Sequence, residues 1–390
     1  MSAQAIGDAM APGTVIFCGL PLFHVNAAMV TGLAAFISGA HVLLGTPQGY
    51  RGPGVVDSFW SIVEHHRVTV FSGVPTLFAS LLTKSTVGRD LASLKFAFCG
   101  AAPMPADLIS RFEAATGIAI VEGYGLTEGT CVSALNPLGG ERKPGSIGLS
   151  IPFQELDVLV FDADGRFVRE AATDEVGRIA ISGRNVFAGY LSNAHNRNIW
   201  IDRGDGRRWF DTGDLGRKDA SGYVWLTGRA KDIIIRAGHN IDPVVIEDAL
   251  QSHPAVALAA AVGRPDAYAG ELPVAYVQLH AGAAATEAAL LQHAERLVSE
   301  RAAWPKAIHI VDALPLTAIG KTFKPALKDR EAERVPEDII GKLGTSGSVS
   351  TRRGADQAPI TIVRVPADKR DAVAAMLADF SFKSQVESAE

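Results

Sequence analysis

The sequence predicts an α/β protein: a parallel sheet covered by helices, then a small barrel-like β unit, then a small α/β domain. Three observations carry this. Over residues 1 to about 140, short apolar runs alternate with amphipathic stretches, the β-then-α rhythm of a parallel sheet. From about 145 the runs shorten, alternate with period two and are divided by Asp-Gly and Ser-Gly pairs, which marks antiparallel strands joined by tight turns. At 229–250, RAKDIIIRAGHNIDPVVIEDAL reads as a strand, a turn at Gly238 and a new helix.

The elements follow in order. VIFCGL (15–20), HVLL (41–44), VTVFSG (68–73), FAFCG (96–100) and AIVEGYG (119–125) are strands ending in glycine or polar loops. Between them, residues 57–66 and 105–117 read as helices. Residues 25–44 are apolar enough to raise a membrane span, but Asn26, Thr31, Ser38, His41 and two glycines interrupt them. They read as a buried helix, a turn at 38–40 and a strand 41–44. LDVLVFD (156–162), GRIAISG (177–183) and GYVWLTG (222–228) are the strands of the second unit. Asp242 caps the helix that Pro243 starts. AVALAAAVG, ELPVAYVQLH and an alanine-rich helix over 283–303 complete the third unit, and GTSGSVSTRRGADQAP (344–359) has the composition of a linker. A short strand, ITIVRV, and a helix, DKRDAVAAMLADF, follow it. The predicted segments are 1–144, 145–228, 229–330 and a linker with extension over 331–390.

A net charge of −5 and a pI near 6.1 leave no broad basic field for nucleic acid. Three widely separated cysteines, Cys18, Cys99 and Cys131, offer neither a disulfide framework nor metal-ligand spacing, which fits the cytoplasm. The first fifteen residues have no charged segment followed by an apolar core, so they do not read as a signal peptide.

Several motifs carry candidate chemistry. GYGLTEGT (123–130) places three glycines, a tyrosine, two threonines and a glutamate past a strand end, where open α/β sheets bind ligands. It suits either a nucleotide with a metal or a tight self-satisfied loop. WFDTGDLG (209–216) sets Asp211 and Asp214 about a Thr-Gly bend; such carboxylates hold a metal or ribose hydroxyls, or simply cap a turn. Gly320-Lys321-Thr322 ends like a P-loop, but position 315 is proline where that motif needs glycine, so a lysine in a turn remains. KPGSIG (143–148) approaches a nucleophile elbow without matching it.

The order of GAAP (100–103), EGYGLTE, DTGD, GRAKDIIIRAGHNIDP and PLTAIGKTFKPAL resembles the adenylate-forming superfamily of acyl-CoA synthetases, adenylation domains and luciferases, and bacterial fatty-acyl-CoA synthetases above all. PLFHVNA (21–27) and SGVPTLFASLL (72–82) add to the likeness, which covers about residues 15–330. The resemblance implies a partial adenylate-forming fold with a mobile C-terminal domain. It also implies a two-step ligase that activates a carboxylic acid with ATP and Mg2+ and then passes the acyl group to CoA, releasing AMP. Gly100, Ala101, Ala102, Pro103, Glu122, Gly123, Tyr124, Gly125 and Leu226 would surround the nucleotide, with Tyr124 stacked on adenine. Asp214 and Arg229 would hold the ribose. Thr127 would bind the α-phosphate, Glu128 the magnesium, and Lys321 the carboxylate and α-phosphate together. His24 would line the acyl site, Lys231 would be the hinge, and the Gly238 loop would approach the thiol of CoA.

The family's Ser/Thr/Gly-rich phosphate loop has no match here, Phe323 follows the lysine turn where other residues are common, and Ala237 stands where glycine is common. Three readings follow: a truncated ligase, a remnant that binds AMP or acyl-adenylate without turnover, and a half-enzyme completed by a complementing N-terminal half. A homodimer is a further partner arrangement. Little or no adenylation is expected of the chain alone.

Overall fold

The computed structural model describes residues 10–100, 102, 104–162, 164–317, 320–353 and 358–389. The chain divides into two compact units, residues 1–230 with 318–321, and residues 231–317 with 322–390.

The first unit is built on a seven-stranded sheet. Strands β1 (Val15–Cys18), β2 (His41–Leu44), β3 (Val70–Gly73), β4 (Phe96–Cys99), β5 (Ala119–Leu126), β6 (Cys131–Leu135) and β7 (Leu149–Ser150) lie in the order β2-β1-β3-β4-β5-β6-β7. The β1–β5 part is parallel, while β6 and β7 join antiparallel. Helices α1 (Phe59–His66), α2 (Pro75–Leu82) and α3 (Ala106–Thr116) bury one apolar face each. Phe59, Trp60, Phe78 and Phe112 come from these helices and interlock with Phe17 and Phe71 of the sheet. Fully burying one such ring is worth roughly 1.5–3 kcal/mol.

The stretch predicted as a buried helix is a π-helix over Asn26–Ala34 continuing into Ala35–Ile37. Inside it Thr31 turns its hydroxyl onto the Ala27 carbonyl at 3.3 Å and Cys18 Sγ at 3.1 Å. Gly32 has no Cβ, which would meet the Ala27 carbonyl oxygen at 2.9 Å. Wide turns of this kind recur at functional sites. No helix among the described residues is long and apolar enough to cross a membrane.

A second, antiparallel sheet completes this unit. Strands β8 (Gln154–Phe161), β9 (Phe167–Glu170), β10 (Gly177–Gly183), β11 (Trp200–Ile201), β12 (Trp209–Lys218) and β13 (Val224–Arg229) pair along β11-β12-β10-β8-β9. The long β12 takes β11 and then β13 on its other edge. The alternation predicts an antiparallel, barrel-like unit; the pairings among the described residues give an antiparallel sheet that branches at β12. Its inner face shares a core with β5, through Tyr124, Ile179, Ile181, Phe210 and Val224.

The second unit carries β14 (Ile234–Arg236), β15 (His239–Ile241), β16 (Val256–Asp266), β17 (Gly270–Leu279) and β18 (Ala307–Ile310) as a five-stranded sheet. Against it pack α4 (Pro243–Gln251) and α5 (Glu287–Leu297). Asp242 caps α4 by accepting from the Val244 N–H at 2.9 Å. A 19-residue helix, α6 (Lys324–Lys342), then leads to a small sheet of β19 (Ser348–Arg353), β20 (Pro359–Val365) and β21 (Ser384–Ser388), with α7 (Arg370–Leu377) crossing from β20 to β21. Part of the stretch with linker composition is thus strand: Val349 joins the core formed by Val335, Ile339, Val363, Val365, Val373 and Leu377. Its polar residues suit an edge strand, which local composition does not distinguish from a linker.

The β14–β15 hairpin turns through two residues, Ala237 (φ 48°) and Gly238 (φ 84°), with Arg236 paired to His239. Both sit in the left-handed region that a type I′ turn demands, and an alanine there costs about 1 kcal/mol against glycine. Ala237→Gly is therefore expected to stabilise the second unit by about 0.5–1 kcal/mol and Gly238→Ala to destabilise it by about 1 kcal/mol, read as opposite shifts in urea midpoint.

Candidate active site

The site begins where β5 ends. Thr127–Gly129 form one 3-10 turn, and Thr130 (φ 54°) and Cys131 (φ 84°), the first residue of β6, follow with left-handed backbones. Two consecutive non-glycine residues in that region are strained, a condition that clusters at functional sites. The reversal brings β6 so close that a Cβ on Gly125 would lie 1.6 Å from the Cys131 carbonyl oxygen. Only glycine is compatible with residue 125.

One residue earlier, the buried Tyr124 points its hydroxyl at Asp214 Oδ2, 2.5 Å away. The other oxygen of Asp214 meets Arg229 Nε at 3.0 Å, across the β12–β13 pair in which these two residues face each other. Burial, and then the Asp214 charge, push the Tyr124 phenol well above its ordinary range, so it is a donor. The bend before Asp214 is secured by its neighbours. Gly213 N–H donates to Asp211 Oδ1 at 2.9 Å, Asp214 N–H to Thr212 Oγ1 at 3.2 Å, and Thr212 Oγ1 to the Ile179 carbonyl at 2.8 Å. Of the two aspartates in DTGD, Asp211 is the turn cap, also paired with Arg178, and Asp214 faces Tyr124 and Arg229.

A cavity of about 360 Å³ opens beside this pair, within the range of small-ligand sites. It is lined by His24, Gly100, Gly123, Tyr124, Gly125, Thr127, Glu128, Arg229 and Lys321, all named from the sequence. Burial and then the charge of Lys321 lower the His24 pKa, favouring its neutral form. Gly320 (φ 83°) accepts from Thr76 Oγ1 at 3.4 Å.

The remaining sequence candidates lie elsewhere. Ala101 and Pro103 fall outside the described residues, and Ala102 does not line the cavity. Leu226 packs in the apolar core behind Tyr124. Lys231 and Gly238 belong to the second unit. The Glu122 carboxylate turns onto the Gly145 N–H at 2.7 Å rather than into the cavity. Ser146 of KPGSIG is buried with its hydroxyl given to the Lys143 carbonyl at 2.8 Å, which suits a turn and not a nucleophile.

Sequence reasoning missed three features. Asn26 and Val30 of the π-helix line the cavity, and the buried Asn26 Oδ1 has no hydrogen-bond partner. Cys99 and Cys131 line it too, their thiols raised by burial. Tyr190 gives its hydroxyl to Glu128 Oε1 at 2.7 Å. Burial and then this bond raise the Tyr190 pKa to about 12. The asparagine two residues after His24 was a readable signal; nothing local announced Tyr190.

A divalent metal fits this donor set only in company. Among the described residues no group of three or more His, Cys, Asp or Glu could hold an ion. Glu128 is a single carboxylate on the cavity wall. Mg2+ commonly uses one or two carboxylates and completes its shell with phosphate oxygens and water, so a metal arriving with a nucleotide suits these residues.

The AMP-binding enzyme family model matches residues 1–191, and the model of the AMP-binding enzyme C-terminal domain matches residues 245–321. The chain belongs to the AMP-binding enzyme family. It is 46% identical over 329 residues to marinolic acid–CoA ligase of Pseudoalteromonas sp. (strain SANK 73390), which covers 84% of this chain and 50% of that protein. It is 36% identical over 274 residues to long-chain-fatty-acid–CoA ligase of Bacillus subtilis (strain 168), covering 70% of this chain and 47% of that one. ATP-bound MatB from Rhodopseudomonas palustris superposes with a TM-score of 0.75 at 28% identity, over 84% of this chain and 62% of that chain. MenE from Bacillus subtilis, in complex with ATP and magnesium, gives 0.69 at 28% identity, over 84% and 64%. The fold is thus that of the adenylate-forming enzymes, and the chain spans about half the length of the curated relatives it matches.

Two outcomes follow from the site's packing. Tyr124→Phe leaves Asp214 Oδ2 buried without its donor and should destabilise the protein by about 1–3 kcal/mol, whereas Tyr268→Phe, at an exposed ring, should be neutral in the same urea titration. Burial drives Glu122 from the ordinary 4.5 to about 7, against the pull of the Gly145 N–H and Arg142, with Glu113 adding repulsion. The folded state therefore holds this proton more tightly than the unfolded state. The resulting penalty is absent below about pH 4.5, grows as pH rises, and is complete above pH 7. Glu122→Gln keeps an acceptor for Gly145 and removes the penalty. Its stability relative to wild type is expected to rise between pH 5 and pH 8, by up to about 3 kcal/mol, measured by denaturant unfolding at each pH.

Proposed function

We propose that this chain carries the nucleotide and ligation site of an acid–CoA ligase, which joins a carboxylic acid to ATP as an acyl-adenylate and then transfers the acyl group to CoA. The observation that carries the reading is the cavity in which Tyr124, Thr127, Glu128, Arg229 and Lys321 converge beside the buried Asp214. The ATP-bound and magnesium-bound neighbours support the same cofactors.

In this reading Tyr124 offers its ring to adenine and keeps its hydroxyl on Asp214. The carboxylate has lone pairs beyond those used by Tyr124 and Arg229, and these accept from the ribose hydroxyls. Thr127 donates to the α-phosphate, with Gly123 and Gly125 letting backbone approach the nucleotide. Glu128 holds Mg2+, which when bound neutralises phosphate charge. Lys321 places its ammonium between the acid's carboxylate and the α-phosphate, where attack of one anion on another otherwise meets repulsion. Neutral His24 lines the acid's side of the cavity without adding charge. Lys231 is the hinge and the Gly238 turn the approach for the CoA thiol. Cytoplasmic placement fits three buried, unpaired cysteines.

A second reading, in which the site needs a complementing polypeptide to turn over, is favoured by one observation. Leu22 and Phe23, after β1, and Phe36, Ile37 and Leu44, before and within the terminal strand β2, are exposed. Apolar side chains so disposed mark an interaction surface.

The test is pyrophosphate release with Mg-ATP, a panel of carboxylic acids and CoA. Acid-dependent release that falls on the order of 10²-fold in Lys321→Ala is the expected signature of the ligase site. Equal release from both proteins overturns the role of Lys321. ATP binding without release selects the second reading.

A further inference from the structure

We propose that Tyr190 is a positioning residue for the metal-binding carboxylate: its hydroxyl engages one oxygen of Glu128 and so presents the other, alone, to a nucleotide-bound cation. This rests on the reading of Glu128 as the metal ligand and goes beyond it by assigning a residue that sets how that ligand binds.

The geometry is specific. Glu128 sits in a one-turn 3-10 helix on the cavity wall, where its own backbone gives the side chain little constraint. The constraint comes from residues 185–196, which lie against the turn at successive points. Asn185 Nδ2 donates to the Gly129 carbonyl at 2.7 Å, and Thr130 Oγ1 donates to the Asn185 carbonyl at 2.5 Å. Phe187 N–H donates to the Glu128 carbonyl at 2.7 Å. The last point is Tyr190 itself, whose hydroxyl reaches Glu128 Oε1 at 2.7 Å.

Tyr190 is in turn held at both ends. Its N–H donates to Asn196 Oδ1 at 2.7 Å, and Asn196 Nδ2 returns a bond to its carbonyl at 2.9 Å. Its ring stands edge-on to Phe187 with centroids 4.8 Å apart, and Phe187 is anchored edge-on to Phe210 of the core at 5.1 Å. The phenol is partly open to solvent, and its position is set by the backbone bonds to Asn196 and the ring contact with Phe187.

A carboxylate with Oε1 engaged by a phenol offers Oε2 for single-oxygen ligation. Mg2+ takes tight octahedral shells and retains several waters, whereas Ca2+ accepts larger shells and bidentate carboxylates. Engaging one oxygen thus favours Mg2+ over Ca2+, and outer-shell partners of ligands typically change metal affinity 10- to 100-fold. Removing the hydroxyl frees Glu128 to rotate and to bind through both oxygens.

The experiment is calorimetric titration of the full chain with ATP in EDTA, in Mg2+ and in Ca2+, for wild type, Tyr190→Phe and Glu128→Gln, with thermal unfolding of each. Glu128→Gln is expected to abolish the gain in ATP affinity that Mg2+ brings. Tyr190→Phe is expected to reduce that gain about ten-fold and to narrow the preference for Mg2+ over Ca2+, with an unchanged melting temperature and unchanged affinity in EDTA. A merely structural role would lower affinity equally under all three conditions. Tyr190→Phe with wild-type gain and wild-type preference overturns the proposal while Glu128→Gln still loses the gain. A gain that survives in Glu128→Gln, or that is absent from wild type, overturns the reading of Glu128 and the proposal with it.

Discussion

The contact on which the first unit's site depends is the buried hydrogen bond from Tyr124 to Asp214. It joins the end of a parallel-sheet strand to the middle of an antiparallel one, 90 residues apart. A carboxylate that is only 7% exposed must be paired to be tolerated. Asp214 meets that demand with one neutral donor and one guanidinium. Because the two partners come from different elements, the bond sets the distance between β5 and the β12–β13 pair, and so the width of the cavity between their ends.

The turn after Tyr124 is the second constraint. Glycine at 125 lets the strands close to within a carbonyl's reach, and Thr130 and Cys131 accept left-handed backbones to finish the reversal. Such strain persists only where the surroundings over-determine it. Here the 185–196 segment supplies that support through bonds to Glu128, Gly129 and Thr130. Strand end, strained turn and the 185–196 segment are thus joined by hydrogen bonds around Thr127 and Glu128.

Burial explains why similar residues take different parts. Asp211 and Asp214 differ by three positions, yet one closes a bend and pairs with Arg178, and the other is enclosed with Tyr124. Glu122 and Glu128 flank the same motif, but the first is buried against Gly145 and holds its proton near neutrality, while the second stands at the cavity wall. Residue type and spacing alone left these pairs undivided, since both members satisfy the same local pattern.

The sequence by itself determined the strand–helix rhythm, the antiparallel strands over 156–228, the Asp242-Pro243 helix start and the ordered motifs that identify the family. Each of these is written in local periodicity, turn chemistry or the succession of short motifs. Tertiary structure alone decided which aspartate meets Tyr124, that Glu122 turns away from the cavity, that a π-helix brings Asn26 to it, and that residues 348–353 pair as a strand. It alone placed Tyr190 on Glu128, across 62 residues. These contacts join segments whose own sequences carry no mark of each other, and they form only when two sheets and a strained turn pack into a shared core.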